Sequence, residues 1–162
     1  MNLIIKENTA MENPNEKILS KLNHLITIAE DGKEGYQNAA KDVKDEDMQN
    51  SFDHYSKERA SYSSILREQV IKLNGDAKDS GGLIGALHRT WMDMEAVFTS
   101  GDRDAIISEC ITGEDAALKA YKEALDESYI TGTLRQIITD QCNGIEGALT
   151  SIKAHAEIPI NK

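Results

Sequence analysis

Apolar residues recur at alternating spacings of four and three along almost the whole chain. That period admits only helices, each with one long stripe to bury. The first series runs Ile18, Leu22, Leu25, Ala29, Gly32, Tyr36, Ala39 and Val43. A second runs Met48, Phe52, Tyr55, Arg59, Tyr62, Leu66, Gln69 and Leu73. The third takes in Ile107, Ile111, Glu114, Leu118, Tyr121 and Leu125, and the fourth Leu134, Ile138, Gln141, Ile145, Ala148 or Leu149, and Ile152. A shorter series, Leu83, Leu87, Trp91, Met94 and Phe98, lies between the second and third. No stretch alternates with period two, so the expected fold class is all-α.

The punctuation between the series sets the topology. Asn15 is the expected cap of the first helix and Asp45 of the second, which Asn74-Gly75 stops. Asp79-Ser80-Gly81-Gly82 is a loop, and Ser100-Gly101-Asp102 a break before a third helix over 104–127, capped by Asp102 or Asp104. A short break at Glu127-Ser128 precedes the last helix, which Pro159 closes. Helices one and two are joined tightly, and so are three and four, so each pair is an antiparallel hairpin. The connector between the hairpins holds a short helix of its own and is long enough to run the length of a bundle. Two hairpins joined by one long crossover make a ferritin-like four-helix bundle. The competing topology is one long third helix kinked near Gly101. Residues 1–14 read as a flexible N-terminal tail, with Met11 a second candidate start, and 15–158 as a single domain. A chain of 162 residues buries roughly 68–70% of its unfolded surface and needs no disulfide or metal staple.

Charge narrows the function. Against 28 Asp and Glu stand 18 Lys and Arg, a net charge of -10, so no nucleic-acid partner is expected. Leu3-Ile4-Ile5 is far short of a signal or membrane-spanning run, so no membrane partner is expected. Cys110 and Cys142 fall inside helical patterns without metal-ligand spacing and read as small buried hydrophobes of a reduced, cytoplasmic protein. The Gly-rich stretch at 81–85 lacks a following Gly-Lys-Ser/Thr and is no phosphate loop. No Ser/His/Asp or Cys/His constellation comes together, so no catalytic residue is assigned.

A bundle of this kind raises the question of a di-iron site, built from an inward Glu on two helices and Glu-x-x-His on the others. Three positions before His24, His54, His88 and His155 stand Lys21, Ser51, Gly85 and Ile152. The motif is missing everywhere, and Glu30, Asp31 and Glu34 fall off the first seam. What the seams hold instead is Arg59, Glu114 and Gln141, each near the middle of its helix. They are expected to share one central layer: a buried Arg59–Glu114 ion pair, with Gln141 satisfying leftover donors or acceptors. Gly32 is expected to leave room for the guanidinium, and Tyr36, Tyr55, Tyr62 and Tyr121 to add hydroxyls. The alternative for this region is an iron or manganese site on Glu58, Glu114 and His54. In the crossover, Trp91 shares a face with Leu87 and is expected to plug the connector onto the bundle, while His88 and Arg89 form a candidate anion site.

The chain resembles a bacterial family of ferritin-like four-helix-bundle proteins, domain of unknown function 2383. The residues that carry the likeness are Asp31-Gly32…Gly35-Tyr36, Glu58-Arg59, His88-Arg89-Thr90-Trp91-Met92-Asp93 and Glu109-Cys110…Gly113-Glu114-Asp115, within residues 16–155. The resemblance implies the bundle fold and carries over no catalytic residues. Glu95 stands where a basic residue is expected in such proteins, which argues against the anion site. The reading is thus a non-catalytic, stress-related or interaction bundle with no cofactor. A metal-binding bundle is the first alternative and a helical self-assembly protein the second. Leu19 and Ile26, one heptad apart beside the first seam, either form a strip for a homodimer or higher homo-oligomer or widen the core.

Overall fold

Four helices account for the described residues of the computed structural model, which are 14–76, 98 and 101–158: α1 (Pro14–Asp42), α2 (Glu46–Lys72), α3 (Arg103–Leu125) and α4 (Gly132–Ala156). The fold is an all-α four-helix bundle. α1 starts at Pro14, inside the expected tail, and takes in Asn15 rather than being capped by it. Proline is favoured in a first turn because its missing N–H has no helical acceptor to lose. Residues 1–13, with Met11, lie outside the described residues, as do the crossover helix with Leu83, Leu87, His88, Arg89, Trp91, Met94 and Glu95, and Pro159.

The hairpin link between α1 and α2 is held at both sides. Asp45 caps α2, its Oδ1 accepting from the backbone N–H of Asp47 at 3.0 Å and Met48 at 3.4 Å. Gln49 Nε2 donates to the Val43 carbonyl at 2.7 Å. At the other end of α2, Asn74 takes the left-handed conformation, φ 57°. Its N–H bonds the Ile71 carbonyl and that of Gly75 bonds Val70, both at 3.0 Å. This is a Schellman stop, with asparagine where glycine is commoner. Gly101, φ 72°, ends any helix before α3, so the single kinked helix does not form. Asp102 occupies the cap position of α3, without a side-chain capping bond.

Two core clusters fix the directions of the helices. One gathers Val43, Met48, Phe52, Phe98, Ile106, Cys110 and Ile152, so it joins the end of α1, the starts of α2 and α3 and the end of α4. The other gathers Leu22, Leu25, Leu66, Val70, Ala124 and Ile138 from the opposite ends. α2 and α3 are therefore parallel, and the chain between Asp76 and Phe98 connects opposite ends of the bundle. α1 packs on α2 and α3, and α4 on α3 and α2. The bundle is thus built from two antiparallel hairpins.

The buried stripes depart from the expected seams in two helices. On α2 they move from Tyr62 and Gln69, both half-buried, to Ser63 and Val70. A straight helix repeats every 3.6 residues, so a strict heptad drifts one residue onward over its length. On α3, Cys110, Ala117 and Ala124 are buried, while Ile111, Leu118 and Leu125 sit half-buried at the margin. The small side chains let the neighbouring helices approach, and the large ones fill the groove edges. Ile26 is 1% exposed and Leu19 packs on the same cluster, so the strip beside the first seam widens the core. Among the described residues no helix is long and apolar enough to cross a membrane.

Candidate functional site

The middle of the bundle is polar. Arg59 on α2 is 2% exposed and Glu114 on α3 1% exposed, with Nη2 2.8 Å from Glu114 Oε2. That contact is a close ion pair without hydrogen-bond alignment. The other terminal nitrogen, Nη1, lies 2.6 Å from Glu58 Oε1, whose side chain is 27% exposed. One guanidinium thus spans two carboxylates, one at the centre and one toward solvent. Tyr36 on α1 donates its hydroxyl to the same Glu114 oxygen that meets Arg59. The guanidinium carbon lies 5.7 Å from the centre of the Tyr36 ring and 5.2 Å from that of Tyr62. Two aromatic faces therefore add to the carboxylates in holding the cation.

Glycines shape this layer from the facing helices. A Cβ on Gly32 would stand 3.3 Å from Arg59 Cγ and 3.6 Å from Cδ. The space left by Gly32 thus takes the aliphatic stem of the arginine rather than, as expected, its planar head. On α4, Gly144 lies so close to the Tyr62 hydroxyl that any side chain there would collide with it. The Tyr62 hydroxyl bonds Glu58, and burial first, then the Glu58 charge, push its ionisation up to about 12. Burial, with the negative Asp115 adding to it, pushes the Glu114 carboxyl well above the usual carboxylate range. The guanidinium at 2.8 Å pulls the other way.

Gln141 on α4 is 2% exposed but serves different groups from those expected. Its Oε1 accepts from the Tyr121 hydroxyl at 2.7 Å, and its Nε2 donates to the Tyr62 carbonyl at 3.4 Å. It reaches the ion pair through Tyr62 rather than by bonding it. Glu58, one residue away on the same helix, meets the arginine's Nη1, and the amide serves the tyrosines. His54 is exposed, its ring meeting that of Tyr55 edge-on with the ring centres 5.7 Å apart. It does not join Glu58 and Glu114, and among the described residues no three His, Cys, Asp or Glu side chains gather as a metal site. The Cys110 thiol is buried and held protonated by burial and the Glu109 charge.

Ser56, Ser63 and Arg103 were not visible as part of a site in the sequence. Ser56 donates to the Lys33 carbonyl at 2.8 Å, and Ser63, a heptad later, donates to Glu30. Glu30 also pairs with Lys33 at 3.1 Å. Burial raises the Glu30 carboxyl, yet Ser63 and Lys33 outweigh it and leave it below its ordinary value. Asp31, expected off the seam, is only 7% exposed. The heptad spacing of the two serines was the available signal. At one end of the bundle Arg103 joins three helices: Nε to Asp45 at 2.9 Å, Nη1 to Asp104 at 3.2 Å and Nη2 to the His155 carbonyl at 3.0 Å.

The family model described as Domain of unknown function (DUF2383) matches residues 17–127, and the chain belongs to that family. The matched span includes Tyr36, Arg59 and Glu114 and ends before α4 with Gln141. Among curated proteins, none matches the chain.

Proposed function

We propose that this member of the DUF2383 family is a non-catalytic, ferritin-like bundle acting as an interaction or stress-related module. In this reading a central layer of Arg59, Glu114 and Gln141 stands in place of a di-iron site. One observation carries it: the cation at mid-bundle belongs to the chain itself, with Arg59 2.8 Å from Glu114 and neither more than 2% exposed. A guanidinium keeps its charge at all working pH values. It occupies the inward carboxylate and repels a divalent ion from the same layer. The free, buried thiols of Cys110 and Cys142 fit a reducing cytoplasm. Expression in iron- or manganese-supplemented medium, purification without chelators and elemental analysis test the reading. The expected result is trace metal and no shift in melting temperature on adding Fe²⁺ or Mn²⁺. Metal retained in whole-number stoichiometry per chain, with a raised melting temperature, would overturn it in favour of the metal-binding alternative on Glu58, Glu114 and His54.

A further inference from the structure

The chain contains two Asn-Gly dipeptides, and their backbone settings are opposite. Asn143-Gly144 lies inside α4, with Gln141, Cys142 and Ile145 buried on either side of it. Asn74-Gly75 forms the stop of α2. Asn74 is exposed and, among the described residues, is the non-glycine residue with positive φ. That conformation costs an L-residue energy, and helix ends open more readily than helix interiors.

We propose that Asn74 is a self-modifying site at which the folded chain slowly converts its side-chain amide to a carboxylate. When the cap opens, the Gly75 backbone nitrogen loses its proton to solvent and attacks Asn74 Cγ. The new N–Cγ bond closes a five-membered imide, and the Cγ–Nδ2 bond breaks, with the nitrogen taking a proton from solvent and leaving as ammonia. Water then adds at either imide carbonyl and opens the ring to aspartate or isoaspartate. The net change is amide plus water to acid plus ammonia, and no other reactant is needed. Glycine at the next position suits the attack because it carries no side chain to crowd the ring. In the closed cap the same nitrogen is held on the Val70 carbonyl at 3.0 Å, so the rate follows cap opening.

The isoaspartate product cannot rebuild the cap, and the aspartate product weakens it. An isoaspartate adds a methylene to the main chain between the two capping N–H groups. Either product sets a negative charge at a helix C-terminus, where the dipole opposes it. Gly75 packs directly on Leu19, and Asn23 Nδ2 donates to the Asp76 carbonyl at 3.4 Å. Modification therefore loosens the end of α2 from the start of α1, at the point where the chain leaves for the crossover. It acts as a one-way timer on that contact.

Incubating the full chain in warm, mildly alkaline buffer, followed by peptide mapping that separates aspartate from isoaspartate, tests the proposal. Conversion at Asn74 is expected to run at least about tenfold faster than at Asn143, the advantage of opening at a helix end. Asn74→Gly keeps a residue suited to the left-handed cap and is expected to hold its melting temperature through the incubation, while the wild type drifts downward. Equal rates at the two asparagines would overturn the proposal. So would an intact Asn74 after a time in which the urea-unfolded chain has converted, or an equal downward drift in Asn74→Gly.

Discussion

Removing the inward carboxylate is the sharpest test of the central layer. Glu114→Ala strands the Arg59 guanidinium, 2% exposed, with only Glu58 at 2.6 Å to meet it. Breaking one partner of a buried ion pair costs about 3–5 kcal/mol. Two details of the structure act in opposite directions on that figure. Glu58 stays in place and is reached by solvent, which favours the low end; the Tyr36 hydroxyl loses its acceptor, which adds about 1–3 kcal/mol. The sum stays near 3–5 kcal/mol, or a fall of about 6–20 °C in melting temperature for a domain of this size. Replacing both partners, as in Arg59→Met with Glu114→Leu, removes the two charges together and is expected to recover most of that loss. Urea and thermal unfolding followed by circular dichroism, run on Arg59→Met, Glu114→Leu and the double, read the coupling directly. A melting temperature unchanged in Glu114→Ala, or a double variant as unstable as the sum of the singles, refutes the buried pair.

Three further outcomes follow from the ends and glycines of the bundle. Asp45 is held below the ordinary carboxylate range, chiefly by the Arg103 hydrogen bond, with the Met48 and Asp47 N–H groups adding against desolvation. Its contribution is thus present above the unfolded value of about 3.9 and is lost as pH falls through the lower folded value. Asp45→Asn keeps a capping oxygen but no charge for Arg103, so its stability, measured by urea titration, is expected to fall less steeply on acidification. Gly144→Ala must displace the Tyr62 hydroxyl, and overpacking exceeds the helix-propensity gain by about 1 kcal/mol, lowering the melting temperature by about 2–4 °C. Gly147→Ala, with nothing within 4 Å, is expected to gain about 0.5–1 kcal/mol instead.

The helices and their order were legible because a period near 3.5 over long runs has one structural solution, and because loop length separates hairpins from crossovers. The identity of the central residues was legible for a different reason: a charge on an apolar seam demands a partner, and only Glu114 stood at matching depth. Their wiring was not. Whether Gln141 meets an arginine or two tyrosines depends on helix rotations of a few tens of degrees, and the same drift that moved burial from Tyr62 to Ser63 sets those rotations. Arg103 was hidden because its three acceptors come from separate parts of the chain, including the Asp45 side chain and a backbone carbonyl at His155. Carbonyls carry no sequence signature.

The Arg59–Glu114 pair is expected to act on register more than on net stability. A well-placed buried pair is roughly neutral against apolar residues of the same volume, so its presence does not explain why the bundle is stable. Sliding α3 by one heptad along α2 keeps a buried stripe, yet it sets Ile107 or Tyr121 beside Arg59 in place of Glu114. The guanidinium then loses its inward charge at about 3–5 kcal/mol, comparable to much of the stability of a single domain. The same slip in α1 brings Ala29 or Val43 to the position of Tyr36, and Glu114 loses its hydroxyl. Apolar seams built from repeating Leu, Ile and Ala are nearly degenerate under such slips. One arginine, one glutamate and one tyrosine on three helices remove that degeneracy, because each is satisfied in a single alignment.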